Sequence, residues 1–400
     1  MLRLENPIQN YAWGSHSAIS RLLGTTTPSE KPEAELWLGA HPKAPSLVLP
    51  SGQSLATLIE GDPAQILGAN IAQRFGARLP FLLKLLAAEA PLSLQAHPTL
   101  EQARAGFDAE EAKGVPLDAP DRNYKDRSHK PELLCALTPF AALCGFRDIG
   151  ETRELFATLR APRTAFASEI LEQLNDERDL PRVFSRLMTA EPARRAEIAN
   201  QTLDRCTDLA AFAGPFQREF SWAVRVGMLY PGDVGIVTML LLNLVRLAPG
   251  EAIYLPAGNL HAYLQGTGME IMANSDNVLR GGLTPKHVDV PELSRVLDFR
   301  AGPVPVLQGE MDGSARVYRT SAPEFELSSF EIRAQETPRV TDRRGPEIVF
   351  CEQGKLELEL ATGVEKLTLA QGESLFIAAS EPSYAITGEG RLFRAAVGRD

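Results

Sequence analysis

Two short stretches of the chain carry side chains that could bind a metal ion or move a proton. In the first, Ser93, Gln95 and His97 alternate with leucine and alanine. A strand places every second side chain on one face, so these polar groups share a face while the apolar pair packs against a core. In the second, Lys130 and Glu132 flank a proline, which favours extended backbone before it. Each stretch therefore presents reactive side chains in one direction.

A third stretch, residues 250–261, places two glycines and a proline at fixed distances ahead of a histidine. It resembles the second cupin motif, in which a strand and a tight turn precede a metal-binding histidine. The groups that could converge on one ion are Gln95, His97, Glu132 and His261. Imidazole and carboxylate ligands suit zinc, and a dication with this ligand set keeps the net positive charge of a Lewis acid.

Each of these residues also has an ordinary structural interpretation. His97 could be a hydrogen-bonded core histidine and Gln95 a solvated amide. Glu132 could pair with Lys130 or Arg147 instead of a metal. The histidine at 261 has the strongest individual case, because the glycines and proline ahead of it are shaped to present it. Three further histidines are interpreted as surface or loop residues: His16, His41 and His287.

Charged residues also occur between residues 268 and 286, in a segment too apolar and glycine-rich for a plain solvated face. Arg280 precedes two glycines, which would let its guanidinium approach a ligand closely, and its planar fork matches phosphate. Lys286 could add a second positive charge. Alternatively, Arg280 pairs with Asp276 four residues earlier and only fixes a loop.

The overall composition excludes several classes of protein. The chain has 400 residues and a formal net charge of −10, with no lysine or arginine block, which argues against nucleic acid or a membrane as partner. A negatively charged small substrate would therefore need a local cationic cluster. The four cysteines are scattered and no signal peptide or membrane span is evident, so we expect a cytoplasmic protein with reduced thiols.

The hydrophobic pattern predicts a mainly β protein with a helical insertion. Residues 79–86 are expected to form a buried strand and residues 99–113 a helix. Between about 149 and 214 the apolar spacing is helical, and strands are predicted to return from a segment at 235–242. Short, evenly spaced strands after residue 303 suggest an antiparallel sandwich or jelly roll.

An internal repeat supports two similar β domains. Residues 250–261 align without a gap on residues 372–383, which have Ser383 where the first segment has His261. We infer two cupin-type jelly-roll domains plus an α-helical subdomain, and only the first jelly roll retains a metal ligand. The predicted boundaries are a catalytic domain in two parts, 1–148 and 218–302, a helical insertion at 149–217, and a C-terminal domain without metal ligands at 303–400.

Six segments, in this order, resemble the type I mannose-6-phosphate isomerase (phosphomannose isomerase) family: residues 9–15, 34–39, 94–98, 129–132, 261–263 and 275–286. Their joint presence is specific, and the likeness spans most of the chain. The resemblance implies a cupin catalytic domain, a helical insertion, a C-terminal cupin and one zinc ion per chain on the four ligands named above. Ser128 and Gly281 depart from the asparagine and alanine usual in the family, and neither departure removes a ligand.

By the same resemblance, the reaction interconverts mannose 6-phosphate and fructose 6-phosphate, and a proton moves between C1 and C2 through an enediol. The family's catalytic arginine falls on Arg280 and a substrate-binding serine on Ser93. We expect Trp13, Tyr263 and Lys286 to contact the phosphorylated hexose as well. The base that transfers the proton stays open among four candidates: Lys130, Glu270, Asp276 and His129.

Three alternatives remain. A cupin with two histidines and one carboxylate could be an iron oxygenase, which would leave Gln95 and the cationic residues after Asp276 unexplained. The chain could be a non-catalytic phosphosugar-binding cupin, or an isomerase of another phosphosugar. We expect a monomer.

Overall fold

The computed structural model describes residues 1–399, in which strands dominate both ends of the chain and helices dominate the middle. The first part contains, in chain order, β1 (Leu2–Glu5), β2 (Ile8–Gln9), α1 (Ala18–Leu23), β3 (Glu35–Gly39), β4 (Leu47–Leu49), β5 (Gln53–Ser54), α2 (Leu55–Gly61), α3 (Pro63–Leu67), α4 (Ala69–Phe75), β6 (Phe81–Ala88), β7 (Gln95–Ala96), α5 (Leu100–Ala112), β8 (Glu132–Ala136) and β9 (Phe140–Phe146). The predicted strand at 79–86 and helix at 99–113 are confirmed as β6 and α5.

The helical part follows β9 without a break in the chain. It contains α6 (Ile149–Leu159), α7 (Ala165–Gln173), α8 (Leu180–Thr189), α9 (Pro192–Ala210), α10 (Gln217–Leu229) and α11 (Gly235–Thr238), with 3-10 turns at Glu177–Asp179 and Met239–Leu241. Helices therefore continue beyond the predicted end of the insertion at residue 217. The proline of α9 stands in its first turn, where a missing backbone N–H costs nothing.

The predicted strand at 235–242 was wrong, because the segment forms α11 and a 3-10 turn before β10 begins. All seven residues from Gly235 to Leu241 are buried, so no alternation between apolar and polar positions distinguishes helix from strand. The Asp233 carboxylate accepts a hydrogen bond from the Gly235 N–H at 2.8 Å. That bond satisfies a free donor at the start of the helix.

The last part returns to strands. It contains β10 (Leu242–Leu247), β11 (Ala252–Leu255), β12 (His261–Ala273), β13 (Leu279–Arg280), α12 (Val290–Val296), β14 (Glu310–Asp312), β15 (Ala315–Tyr318), β16 (Glu326–Ile332), β17 (Arg339–Val340), β18 (Glu347–Leu360), β19 (Lys366–Ala370), β20 (Ser374–Ile377) and β21 (Tyr384–Ala396). In both copies of the repeat, a glycine in the left-handed region, Gly250 and Gly372, precedes the strand, β11 or β20.

The strands form two antiparallel sheets. The first runs β10-β9-β12-β6-β3-β2, with β7, β8, β11 and β13 attached to it. The second runs β14-β15-β16-β21-β18-β20-β1-β4-β5, with β17 and β19 attached. Hydrogen bonding thus crosses the predicted domain boundaries, because β1, β4 and β5 extend the C-terminal sheet.

The alternation of side chains along β6 separates the site from a core shared by both sheets. Leu83 and Leu85 pack into a cluster that includes Leu327 and Phe350 of the second sheet. The intervening Lys84 faces the interior of the first sheet, opposite Glu270 in the register of β6 and β12. Because the side-chain period of a strand is two, packing the leucines into the shared core directs Lys84 to the opposite face, towards the interior of the first sheet.

Candidate metal centre and active site

Three residues from separate strands converge in the interior of the first sheet. His97 follows β7, Glu132 begins β8 and His261 begins β12. Their nitrogen and carboxylate atoms all lie within 4.8 Å of one another. One Glu132 oxygen is 3.4 Å from His97 Nε2, and the other is 3.2 Å from His261 Nε2. Two imidazoles and one carboxylate thus face a common point.

Hydrogen bonds on the far side of each imidazole point the Nε2 atoms at this centre. Nδ1 of His97 lies 2.7 Å from the Asn277 carbonyl, and Nδ1 of His261 lies 3.0 Å from the Asn259 carbonyl. A carbonyl only accepts, so Nδ1 carries the proton and Nε2 presents a lone pair. Nε2 of His97 is buried and has no hydrogen-bond partner, which fits a metal ligand rather than a structural histidine.

The charge states of His97 and Glu132 also suit a metal. Burial lowers the pKa of His97 to about 4, which keeps the ring neutral near pH 7. Burial alone would raise the pKa of Glu132, but the positive charge of Lys130 and the contacts with both imidazoles hold it well below its usual range. Two neutral imidazoles and a carboxylate are zinc ligands in proteins.

The fourth predicted ligand, Gln95, is a neighbour of this centre in the sheet. Its register partner is His261 on one side and Arg280 on the other. Gln95 is partly exposed and lines the cavity described next. The structure therefore brings Gln95 to the border between the three-residue centre and the predicted cationic segment.

A cavity of about 450 Å³ opens beside the centre. The predicted substrate-binding residues Ser93, Trp13 and Lys286 line it, and so does Arg280. Its other charged lining residues are Glu35, Lys43, Lys84, Arg122, Lys125, Lys130 and Asp276. Lysines and arginines outnumber carboxylates along this wall, although the whole chain carries a net charge of −10. The cavity thus adjoins the metal-type centre at Gln95 and Lys130 and presents a surface suited to an anion.

Lys84 is a cavity residue that the sequence did not single out. It is 5% exposed, and its Nζ lies 3.0 Å from Glu270 and 3.5 Å from Glu35. Burial alone would lower the pKa of Lys84, but these carboxylates raise it well above its usual range. Lys84 therefore stays charged at the cavity wall. The only sequence signal was a single lysine within an otherwise apolar strand.

Trp37 completes this arrangement. Its Nε1 donates to Glu35 at 2.6 Å, and the Lys84 ammonium lies 5.6 Å from its ring centroid. Trp37 is buried and also lines the cavity.

Two of the four candidate bases line the cavity. Lys130 Nζ lies 2.9 Å from Glu132, directly beside the metal-type centre. Asp276 lies 2.9 Å from Lys43 Nζ and 3.6 Å from His41 Nε2. His41 lies in the loop between β3 and β4, as predicted, but it is buried and lines the cavity rather than the protein surface. Burial lowers the pKa of His41, and the nearby Asp276 partly opposes this.

The structure places the other two candidate bases outside the cavity lining. His129 Nε2 lies 2.7 Å from Glu324 of the C-terminal part. It faces away from the metal-type centre because its neighbour in sequence, Lys130, faces towards it. Glu270 is buried behind Lys84 and accepts a hydrogen bond from the Tyr263 hydroxyl at 2.8 Å. Tyr263, predicted to bind substrate, is therefore placed behind the cavity wall.

Arg280 and Lys286 form a cationic wall of the cavity. Within residues 1–399 neither side chain has a carboxylate partner, and Asp276 pairs with Lys43 rather than with Arg280. Burial lowers the pKa of Arg280; burial and the adjacent Arg280 lower that of Lys286. Arg280 is partly buried and Lys286 is exposed, and a partly buried cation without an anion is costly in the free protein. Their positions are those expected of a site that receives an anionic group.

Comparisons with known proteins agree with this geometry. Residues 1–149 match the model of phosphomannose isomerase type I, catalytic domain. The chain is 42% identical over 408 residues to the mannose-6-phosphate isomerase of Escherichia coli (strain K12), covering 98% of this chain and 99% of that relative. It is 34% identical over 403 residues to that of Homo sapiens, covering 94% and 92%.

Solved structures give the same result. A zinc-bound mannose 6-phosphate isomerase matches with a TM-score of 0.90 at 36% identity, covering 100% of this chain and 99% of that chain. A mutant phosphomannose isomerase from Salmonella typhimurium matches with a TM-score of 0.91 at 36% identity, covering 100% of both chains. The similarity in fold to a zinc-bound isomerase and the three-residue centre therefore agree.

Proposed function

We infer that the cavity isomerises a phosphorylated hexose, because the chain belongs to the type I phosphomannose isomerase family. It interconverts mannose 6-phosphate and fructose 6-phosphate with zinc as cofactor, by proton transfer between C1 and C2. The fold is that of the family, mainly β and cupin-like with a helical insertion. The observation that carries this function is the centre of His97, Glu132 and His261, whose ligand atoms lie within 4.8 Å of one another.

His97, Glu132, His261 and Gln95 would hold one zinc ion per chain. The hydrogen bonds from both Nδ1 atoms to carbonyls support this assignment, because they orient the Nε2 lone pairs before a metal arrives. When bound, the dication supplies a Lewis acid that polarises a sugar oxygen. The neighbouring position of Gln95 in the register supports it as a weaker fourth ligand.

The substrate phosphate would bind at the wall formed by Arg280 and Lys286. Both cations lack an anionic partner within residues 1–399, so a phosphate dianion would relieve the repulsion that Arg280 exerts on Lys286. Ser93 and Trp13, on the same cavity, would contact the sugar. The hexose would then lie between this wall and the residues that would hold zinc.

Lys84 would stabilise the negative charge that develops on the sugar oxygen during enolisation. Its two carboxylate neighbours keep it protonated, so the positive charge is in place before the reaction begins. A fixed charge of this kind needs no reorganisation in the transition state. Glu270 and Glu35 would act by holding Lys84 rather than by touching the substrate.

Lys130 is the base that the geometry supports best among the four candidates. It lines the cavity beside Glu132, whereas Glu270 and His129 do not. Lysine is among the side chains that serve as general acids and bases in enzymes. Asp276 is the second candidate, since its carboxylate also faces the cavity. Replacing Lys130 or Asp276 and measuring proton exchange at C2 of the sugar would show which of them is the base.

We further propose that the enzyme works as a monomer in the cytoplasm. The four cysteines, all buried free thiols in the described residues, support a reducing compartment. Within residues 1–399 no helix is both long and apolar enough to cross a membrane.

The test is a coupled assay for fructose 6-phosphate from mannose 6-phosphate, before and after chelation and after zinc is restored. We expect turnover to stop on chelation and to return with zinc, at one zinc per chain by metal analysis. Binding of mannose 6-phosphate without any ketose would indicate a binding module. Iron in place of zinc, together with oxygen uptake, would indicate an oxygenase. Faster turnover of another phosphosugar would change the assigned substrate.

A further inference from the structure

The loop that carries the cationic wall separates two cavities. Arg280, Thr284 and Lys286 line the catalytic cavity on its inner side. On the outer side lies a second cavity of about 510 Å³, also lined by Thr284 and Lys286, together with Asp233. A cavity rather than a packed core lies on both sides of Thr284 and Lys286. Their positions therefore depend on the few groups that attach the loop to its surroundings.

The backbone of this loop adopts unusual conformations. Gly282 has a φ of 117°, and Leu283, a residue with a Cβ, has a φ of 56°. Leu283 is 1% exposed. A branched residue in the left-handed region is strained, and such a conformation persists only where surrounding contacts enforce it. Contacts from outside the loop must therefore stabilise its conformation.

The segment that joins α10 to α11 supplies these stabilising contacts. The two oxygens of Asp233 accept from different backbones: one from the Gly235 N–H at 2.8 Å and the other from the Thr284 N–H at 3.1 Å. A single carboxylate thus joins the start of α11 to the loop. Just before it, the Tyr230 hydroxyl donates to the Pro91 carbonyl at 3.2 Å, near the segment that carries Ser93.

The two backbones also touch without room for side chains. A Cβ on Gly235 would lie 2.8 Å from the Leu283 nitrogen, and a Cβ on Gly282 would lie 3.0 Å from the Gly235 Cα. The loop is attached to the opposite segment as well, since Gly281 N–H donates to the Leu94 carbonyl at 2.8 Å. The loop is therefore packed between the helical part of the chain and the segment that contains Leu94.

We propose that Asp233 is a positioning residue that aims the cationic wall at the substrate phosphate. It touches neither substrate nor metal, and it acts through the Thr284 N–H on the loop that ends at Lys286. The proposal rests on the proposed function, because it assigns Asp233 a role in binding the phosphate of that substrate. It gives the helical part of the chain, which runs from α6 to α11, a role in substrate affinity.

The experiment compares the full-length zinc enzyme with Asp233→Asn and Asp233→Ala. The asparagine keeps the size and one acceptor oxygen but turns a donor towards the second N–H. Asp148→Ala is the matched control, because Asp148 also accepts from a helix N-terminal N–H, at 3.1 Å from Glu151, yet does not line either cavity. For each protein we would measure kcat, KM for mannose 6-phosphate, bound zinc, and the affinity for inorganic phosphate by calorimetry.

Losing one charge-assisted hydrogen bond corresponds to a change of about tenfold in affinity. We therefore expect Asp233→Asn to raise KM and the phosphate dissociation constant together by about that factor, with zinc retained and kcat changed less than about threefold. Gly235→Ala should shift the same two quantities, because its new Cβ would displace Leu283. The Asp148→Ala control should lower thermal stability without moving either constant.

Two results would overturn the role of Asp233. One is a phosphate affinity and KM within twofold of the native values in both Asp233 variants. The other is a fall in kcat alone, or with loss of zinc, which would indicate a defect at the metal end. Native protein that binds phosphate but does not isomerise mannose 6-phosphate would contradict the proposed function instead, and the Asp233 variants would still be judged by phosphate affinity.

Discussion

Replacing Arg280 with alanine tests whether the cationic wall is functional or only holds a loop. In the structure Arg280 has no carboxylate partner within residues 1–399, and burial already lowers its pKa. Its removal therefore breaks no ion pair and takes away a positive charge that lowers the pKa of Lys286. Zinc binding should be unchanged, because Arg280 is not part of the centre formed by His97, Glu132 and His261.

The expected loss of activity follows from the geometry of a guanidinium. A two-point contact with phosphate or an enediolate oxygen makes two charge-assisted bonds of about 1.5 kcal/mol each. Arg280→Ala should then cost about 3 kcal/mol, or roughly two orders of magnitude in kcat/KM. Arg280→Lys keeps the charge but loses the fork, so it should recover only part of that loss.

The assay is the coupled measurement of fructose 6-phosphate, with kcat and KM determined separately and thermal unfolding followed in parallel. A rise in KM and in the phosphate dissociation constant would assign Arg280 to the phosphate, whereas a fall in kcat alone would assign it to the enediolate. The unfolding temperature should not fall, because a residue retained for function is often unfavourable for stability. Unchanged kinetics with lower stability would refute the reasoning and leave Arg280 as a loop strut.

Three further outcomes are expected. His97→Ala and His261→Ala should each weaken zinc binding by about two orders of magnitude or more and lose activity with it, while the exposed His16→Ala keeps both; full turnover by a metal-free variant would contradict this. Lys84→Met should destabilise the fold by about 3–5 kcal/mol in denaturant, because its carboxylate partners stay buried and unpaired, whereas the exposed Lys366→Met should have little effect; equal costs would argue against a buried pair. Burial raises the pKa of each cysteine thiol, so a thiol reagent at pH 8 should react with the native protein only after unfolding; rapid reaction of any native thiol would be inconsistent. The free energy of unfolding should be unaffected by these thiols below about pH 8.5 and should fall as pH rises towards the raised pKa values, because the unfolded thiols lose their protons first. The pKa rises to about 11 for Cys135 and to about 12 for Cys144, Cys206 and Cys351.

Short-range periodicity indicated which side chains could meet at the metal-type centre, although each also had an ordinary structural interpretation. The alternation at Gln95 and His97, and again at Lys130 and Glu132, assigned one face of each strand to chemistry, and the glycine-proline frame selected His261. These signals are local, because a strand turns each side chain in a direction set by its neighbours. The structure brings the residues together for that reason, together with the register that places Gln95 opposite His261.

The parts of the site that were missed depend on contacts between distant segments. Lys84 resembles any polar residue at one position of a buried strand until Glu35 and Glu270 are placed beside it. His41 follows a strand in a turn-rich segment, which is typical of an exposed loop, and only the position of Asp276 shows that it faces the cavity. No local pattern encodes such pairings, since they require the register of three strands to be known.

The two ends of the cavity differ in what a substitution can reveal. At the metal end, Lys130 pairs with Glu132, and Lys84 pairs with Glu270, all of them buried. Removing one member leaves its partner charged and buried, so a loss of activity there is mixed with a loss of stability. Arg280 and Lys286 have no such partner in the described chain, and their removal relieves unfavourable charge. Changes at that wall therefore report on substrate binding directly, and a phosphate affinity measured there remains interpretable even where zinc is absent.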